Sequence, residues 1–462
     1  MAWEITEIKM ADDLVDCNPA LDFVGDKSIV TVRSKAIVKR ELETKSQNPP
    51  KPKKKMEQIH YSILYNGNGK ADTFFMNEDT LAEHKLFYAG RLDISGNRWN
   101  IDDIYKFRDN PTSLTVSEIY KLIFEKYDYY YEFADDRLYW VLAAFTIYSY
   151  FFPIFNHAPI LHLFGDFRTG KTKLCQLIEA MCFNPLNSSN ISASTVFRTV
   201  QGARSLIILD ESEDLVQDEK RKDIVNMLLA GVNKSGRAYR QEKSANDNYQ
   251  TRSYQVFSPK VIANINGINL DSLSSRIIRV NTSGTVNKEK KNRDVDLESN
   301  EWQEIRNQLY RLLLIKHAEV REVKETLKIE GLSGRWHNMW FGILVMAKLC
   351  SDRLYGNMLN IAIELSEEME TQFVTETPSR LIIQHLVKLI KENGKESYTS
   401  DELYKSFNYD EKRDMDFVTK KGMGMLMTKI GLKSKPTRIS SEGLERIYTF
   451  TLDWLESRLK MM

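Results

Sequence analysis

The stretch Gly165-Asp166-Phe167-Arg168-Thr169-Gly170-Lys171-Thr172 carries the residue types and spacing of a phosphate cradle. It fits G-x-x-x-x-G-K-[ST], in which a glycine-bounded turn lets successive backbone N–H groups converge on phosphate oxygens. A helix starting at its end would add the partial positive charge of its N-terminus beneath them. In that arrangement Lys171 reaches the terminal phosphates and the Thr172 hydroxyl ligates Mg²⁺, so ATP and Mg²⁺ are the expected cofactors. Farther along, the apolar run Leu206 to Leu209 ends in Asp210 and Glu211. Asp210 suits a role behind Mg²⁺ and Glu211 suits polarising an attacking water, which makes hydrolysis the expected reaction. A strand ending in Asp-Glu is a common surface corner; its pairing with the upstream loop gives it meaning.

These groups need a strand before the loop, a helix after it and parallel neighbours. Ile160 to Phe164 reads as the strand, and Leu174, Leu177, Ile178 and Met181 share one helical face. A second short apolar strand, Phe257-Ser-Pro-Lys-Val-Ile-Ala263-Asn264-Ile-Asn266, ends in asparagine. Asn264 is the first choice for an amide near the reacting phosphate and Asn266 the fallback; a simple strand cap is the structural alternative. Then comes Asp271-Ser-Leu-Ser-Ser275-Arg276-Ile-Ile-Arg279, with two arginines along a strand-like run. Between the acidic strand and Asn264, two β-prone runs flank an Asn/Asp turn and read as a hairpin. One run holds Arg237, Tyr239, Arg240 and Lys243, the other Tyr249 and Arg252.

The whole chain bounds these assignments. Its 462 residues suffice for two to four domains. A net charge of +1 excludes a globally basic nucleic-acid binder, so any basic surface must be local. Cys17, Cys175, Cys182 and Cys350 show no zinc or disulfide spacing, and a reducing, cytoplasmic setting is expected. Acidic residues near the N-terminus break any signal-like apolar run. Leu138 to Phe155 is uncharged, yet its three tyrosines and marginal length favour a buried helix over a membrane span.

Residues 1–110 read as a β-rich region without an assignable role, with strands at Ser28–Val38, Gln58–Tyr65 and Asp72–Phe75. Lys45 to Lys55 within it reads as a basic loop or linker. Residues 111–155 form a helical connector, 156–290 the phosphate-loop core and 291–376 a second helical region. The last segment, 377–462, reads as three helices followed by a β-ribbon, the order of a winged helix-turn-helix. From Lys412 to Arg438 it holds eight Lys/Arg against two Asp, so a phosphate backbone is the favoured contact. Lys420, Lys421, Lys435 and Arg438 would face it.

The order of features resembles the AAA+ ATPases, and more closely their helicase branch with the MCM-like and viral superfamily III enzymes. The nearest likeness is to helicase-like proteins of phages, plasmids and staphylococcal cassette elements. It rests on the loop, on Asn190-Ile-Ser-Ala-Ser-Thr-Val-Phe197, on Phe257 to Ala263 and on Gly334-Arg335-Trp336-His337-Asn338-Met-Trp340, covering about 160–350. The resemblance implies an α/β fold: an AAA+ P-loop ATPase core with a helical lid, a β-rich N-terminal region and a C-terminal winged helix. It implies that Asn264 helps hold the attacking water and that Arg276, or Arg279, reaches a neighbour's nucleotide. Arg335 would be a second arginine sensing the γ-phosphate, or else a surface arginine at a helix start. The hairpin would grip single-stranded DNA in a central channel through Arg240, Lys243 and Arg252. Implied overall is an ATP-driven DNA helicase or translocase of a mobile element, working as a homo-oligomer, a hexamer, with no membrane partner. An ATP-switched initiator or loader is the alternative.

Overall fold

The computed structural model describes residues 14–40, 53–94, 96, 98–212, 221–243, 249–265, 271–376, 378–408, 420–440 and 443–461. It divides into two compact units, residues 1–363 and 364–462.

At the centre of the first unit lies a five-stranded, wholly parallel sheet. Its order is Ile277–Asn281, Ile160–Phe164, Lys260–Asn264, Leu206–Leu209 and Pro185–Ser188. The fold is therefore mixed α/β. Strands buried on both faces read as continuous apolar runs, which is why Ile160–Phe164 and Leu206–Leu209 stand out in the sequence. Because all five strands run the same way, whatever follows each strand gathers at one edge of the sheet and whatever precedes it at the other.

The uncharged segment is a helix, Arg137–Phe151, packed against helices Val116–Tyr130, Asn300–Thr326 and Gly334–Cys350. Thirteen of its fifteen residues are buried, so its apolar character serves the core. Among the described residues no helix is long and apolar enough to cross a membrane. Helix Val116–Tyr130 starts at a capping box in which Thr115 and Glu118 satisfy each other's backbone N–H groups.

The N-terminal strands form an antiparallel meander of Leu21–Val24, Lys27–Arg40, Lys53–Tyr65 and Ala71–Phe75. Lys53 to Lys55 belong to its third strand, so the basic loop is shorter than its composition suggests; its residues 45–52 lie outside the described ones. Helices at Glu78–Glu83 and Ile101–Asp109 also interrupt the β-rich region.

In the second unit, helices Pro378–Asn393, Ser400–Asn408 and Lys420–Lys429 accompany a three-stranded antiparallel sheet, one strand of which lies between the first two helices. Its strands are ordered Ser397–Thr399, Gly443–Thr449, Lys435–Ser440. Ile383, Leu386, Leu403, Met427 and Leu455 are buried together in its core. Gly394 and Gly431, with φ of +63° and +96°, end the first and third helices. A closing helix, Leu452–Met461, follows the last strand. The expected start of the third helix falls in 409–419, outside the described residues.

Candidate active site

The phosphate loop leaves the sheet after Phe164 and enters helix Lys171–Met181 at Gly170, whose φ is +87°. Space dictates a glycine at both ends of the loop, and at Gly170 the torsion does as well. A Cβ on Gly165 would lie 2.2 Å from Thr282 Oγ1, and one on Gly170 would lie 3.0 Å from the Tyr131 ring. The loop is braced from beneath: Tyr131 Oη donates to the Thr169 carbonyl at 2.8 Å, and the Thr169 and Thr282 hydroxyls meet at 2.8 Å. Thr282 also donates to the Phe164 carbonyl. The loop is thus held in place by the side chains of Tyr131 and Thr282.

Lys171 Nζ donates to the carbonyls of Gly165 and Asp166, at 2.7 and 2.8 Å. Asp166, Phe167 and Arg168 form the exposed crest, with Phe167 72% exposed and Arg168 in the left-handed region at φ +64°. A cavity of about 680 Å³ opens beside the loop, lined by Phe167 through Thr172 and, across from them, Asp210 and Glu211. Asp210 is nearly buried and accepts the Glu211 N–H through Oδ1 at 3.0 Å. Glu211 has φ +52°, a conformation that costs a non-glycine residue about 1–2 kcal/mol. Such strain is kept where it positions a functional group. Here it accompanies an exposed carboxylate on the cavity wall.

The donor set suits a magnesium-bound triphosphate. There is a hydroxyl at the first turn of an eleven-residue helix, a lysine, two carboxylates opposite, and glycines where a side chain would block backbone approach. The remaining wall is Ile265, Lys291, Arg293, Asp294 and Val295. These last four come from a segment following Thr282, and no spacing in the sequence marks them. Lys173 ties that segment down by donating to the Lys290 carbonyl at 2.6 Å.

Asn264 differs from its expected position. Its strand does lie between the loop strand and the acidic strand. The side chain, however, is buried inside the sheet, where Oδ1 accepts from His162 Nε2 at 2.8 Å. Strand alternation puts Asn264 and His162 on one face, and it is Ile265 that meets the cavity. Burial, with a smaller contribution from the Arg279 charge, holds His162 neutral down to about pH 4 against the opposing hydrogen bond from Asn264. Asn266 lies outside the described residues.

The arginines stand at the far edge of the sheet. Arg276 precedes strand Ile277–Asn281, and its carbonyl accepts from Ile160 N, the first residue of the loop strand. Five residues of parallel strand, roughly 15 Å, separate it from the loop edge. Its half-exposed guanidinium bonds the Ser272 carbonyl, and burial followed by the nearby Arg335 charge lowers its pKa. Arg335, at the first turn of helix Gly334–Cys350, donates to Ser275 Oγ at 2.6 Å. Of the two readings open for it, the structure shows the exposed arginine at a helix start: it accompanies Arg276 and does not line the loop cavity. Arg279 lies within the sheet, its guanidinium 4.9 Å over the Phe164 ring.

The hairpin is present as Arg237–Lys243 paired with Tyr249–Gln255; its tip, 244–248, lies outside the described residues. Its two faces differ. Arg240, Glu242, Arg252 and Tyr254 share one face, on which Arg240, Glu242 and Tyr254 are partly buried and Arg252 stays exposed. There Arg240 pairs with Asp223 at 3.3 Å and lies over Phe197, while Arg252 approaches Glu242 at 3.6 Å. The opposite face carries Arg237, Tyr239, Gln241, Lys243, Tyr249 and Thr251, all exposed, with Tyr239 at 63% and Tyr249 at 68%. Period-two alternation, applied to the hairpin register, could have separated these faces. In the second unit Lys435 is exposed, and the side chains of Lys420, Lys421 and Arg438 lie outside the described residues.

Solved structures resemble the chain at low identity. The C-terminal region of NrS-1 is 12% identical with a TM-score of 0.36, over 85% of this chain and 95% of that one. JCV helicase is 13% identical with a TM-score of 0.22, over 57% and 72%. The Aeropyrum pernix ORC1 protein, solved in complex with DNA, is 14% identical with a TM-score of 0.19, over 66% and 86%. No protein-family model and no curated protein sequence matches.

Proposed function

We propose that the chain is an Mg²⁺-dependent ATP hydrolase of the AAA+ type that assembles as a ring, a hexamer, and moves DNA as a helicase or translocase. One observation carries this reading: the sheet separates Lys171, Thr172, Asp210 and Glu211 at one edge from Arg276 and Arg335 at the other. An arginine pair so far from its own loop suits the nucleotide of a neighbouring copy. Thr172 and, through water, Asp210 would hold Mg²⁺, which draws negative charge from the phosphates. Lys171 would exchange the Gly165 and Asp166 carbonyls for phosphate oxygens. Glu211 would accept the proton of the attacking water, and Arg276 of the next copy would stabilise charge on the transferring phosphoryl group.

The exposed hairpin face, with tyrosines and Lys243, suits a single strand better than the Arg240 and Arg252 contacts expected from sequence. Tyrosine rings accept stacked bases and the cation meets the backbone. The second unit would act as a winged helix-turn-helix, with helix Lys420–Lys429 and the ribbon of Lys435–Ser440 on duplex DNA. Replication of a mobile element, in the cytoplasm, is the setting the sequence resemblance supports.

Mixing Lys171→Ala and Arg276→Ala chains tests the shared site. Each alone should be inactive, and the mixture should recover hydrolysis at interfaces that combine an intact loop with an intact arginine. No recovery would remove the ring reading. The basic helix-and-ribbon unit also favours an initiator or loader; a forked DNA distinguishes them, since a loader binds it and leaves it paired.

A further inference from the structure

Lys260 is the most deeply buried lysine of the central sheet, 1% exposed, at the first position of strand Lys260–Asn264. Its Nζ donates to the carbonyls of Gly231 at 2.8 Å and Ser258 at 2.5 Å. Those carbonyls flank the hairpin in sequence: Gly231 precedes its first strand and Ser258 follows its second. The two legs are also stitched to each other, Ser258 N to the Gly231 carbonyl and Val256 N to the Gly236 carbonyl. The space is full, since a Cβ on Gly231 would lie 2.1 Å from the Val256 carbonyl and 2.7 Å from Lys260 Nζ. At its other end the strand leads to Ile265 on the cavity wall, and the Ala263 carbonyl accepts both N–H and Oγ–H of Ser212, two residues beyond Asp210. One short, doubly paired strand thus spans the distance from the nucleotide cavity to the hairpin root.

An ammonium is a costly way to fill such a site. Burial alone pushes this lysine down to about 7, with no carboxylate contributing. An apolar side chain of similar length would escape that desolvation, so packing gives no reason for a lysine here. What the Lys260 amine supplies is a pair of hydrogen bonds from a strand to both legs of the hairpin.

We propose that Lys260 is the positioning residue that couples the cavity end of the central strand to the root of the hairpin. This rests on the reading of the cavity as a nucleotide site and of the hairpin as the DNA contact. Displacement of Ile265 and the Asp210–Ser212 corner by nucleotide would be transmitted along the strand and delivered to Gly231 and Ser258 together.

The test is Lys260→Met in the full chain. The expected result is a Tm equal to or above that of the parent, retained ATP hydrolysis without DNA, and loss of the stimulation that single-stranded DNA gives the parent. A purely structural lysine would instead lower the Tm and leave the fold-stimulation as it was, which would overturn the proposal. A parent that shows no hydrolysis, or no response to DNA, rejects the proposed function and is seen before the variant is made. Should the variant not fold, hydrogen exchange on the parent decides: Mg²⁺ with a non-hydrolysable ATP analogue should change protection at the Val256 and Ser258 amides. Change confined to the loop and helix Lys171–Met181 would overturn the coupling.

Discussion

The two edges of the parallel sheet are built from the same strands and do different work. At the edge where the strands end, groups are crowded, braced and strained: Gly165 against Thr282, Gly170 against Tyr131, Glu211 in a left-handed turn. At the edge where they begin, the arginines are held by a hydroxyl and a carbonyl, and the hairpin presents an exposed face. The first is the character of a preorganised reaction site. The second is that of surfaces open to another molecule, and on the proposed function the protein completes its chemistry only on assembly.

Arg276→Ala is the strongest way to break that contrast. On the proposed function it lowers ATP hydrolysis by about 10³-fold while leaving affinity for a fluorescent ATP analogue unchanged. An equal loss of affinity would put the arginine in its own site. Glu211→Gln should cost about 10²-fold or more in turnover and keep ATP bound, measurable as a stable nucleotide complex on a filter. Tyr239→Ala and Tyr249→Ala should each weaken single-stranded DNA binding by about 1–3 kcal/mol, by fluorescence anisotropy. Arg240→Ala, whose side chain is turned to Asp223, should cost less than about 1 kcal/mol. The reverse order would exchange the two faces of the hairpin.

Gly165→Ala probes the crowded edge through stability. The new methyl meets Thr282, and the cost should be about 1–3 kcal/mol by chemical denaturation. A pH-dependent effect lies between the edges, at His162. The folded chain holds it neutral to about pH 4, whereas the unfolded chain takes up a proton near its ordinary value of 6.5. The unfolded state therefore binds more protons in that window, and stability falls as the pH drops. Between pH 6.5 and 5 the loss from this group should be about 2 kcal/mol, and His162→Gln should flatten that part of the profile.

Much of the loop edge is legible because its chemistry is local. Gly165 to Thr172 are contiguous, and the apolar runs before Gly165 and Asp210 announce buried parallel strands. The residues that brace and complete this edge come from elsewhere. Tyr131 ends a helix that precedes the loop by more than thirty positions, and Lys291 to Val295 follow the last strand, with no spacing to mark them. Asn264 shows a different limit. Its strand was legible, yet the direction of its amide depended on His162, a residue unremarkable until the strands are laid side by side. The same holds for Arg335, whose motif-like surroundings say nothing of Ser275.

What the sequence alone determined is which short segments have the residue types and spacing of a phosphate cradle and which are strands, since both follow from residues adjacent in the chain. What only the tertiary structure decided is which edge each group occupies. Sheet order sends Arg276 and Arg335 away from Lys171, and hairpin register turns Arg240 inward and Tyr239 outward. Lys260 is set beneath both legs of the hairpin in the same way. Those are relations between residues distant in sequence, fixed by how strands pair and pack.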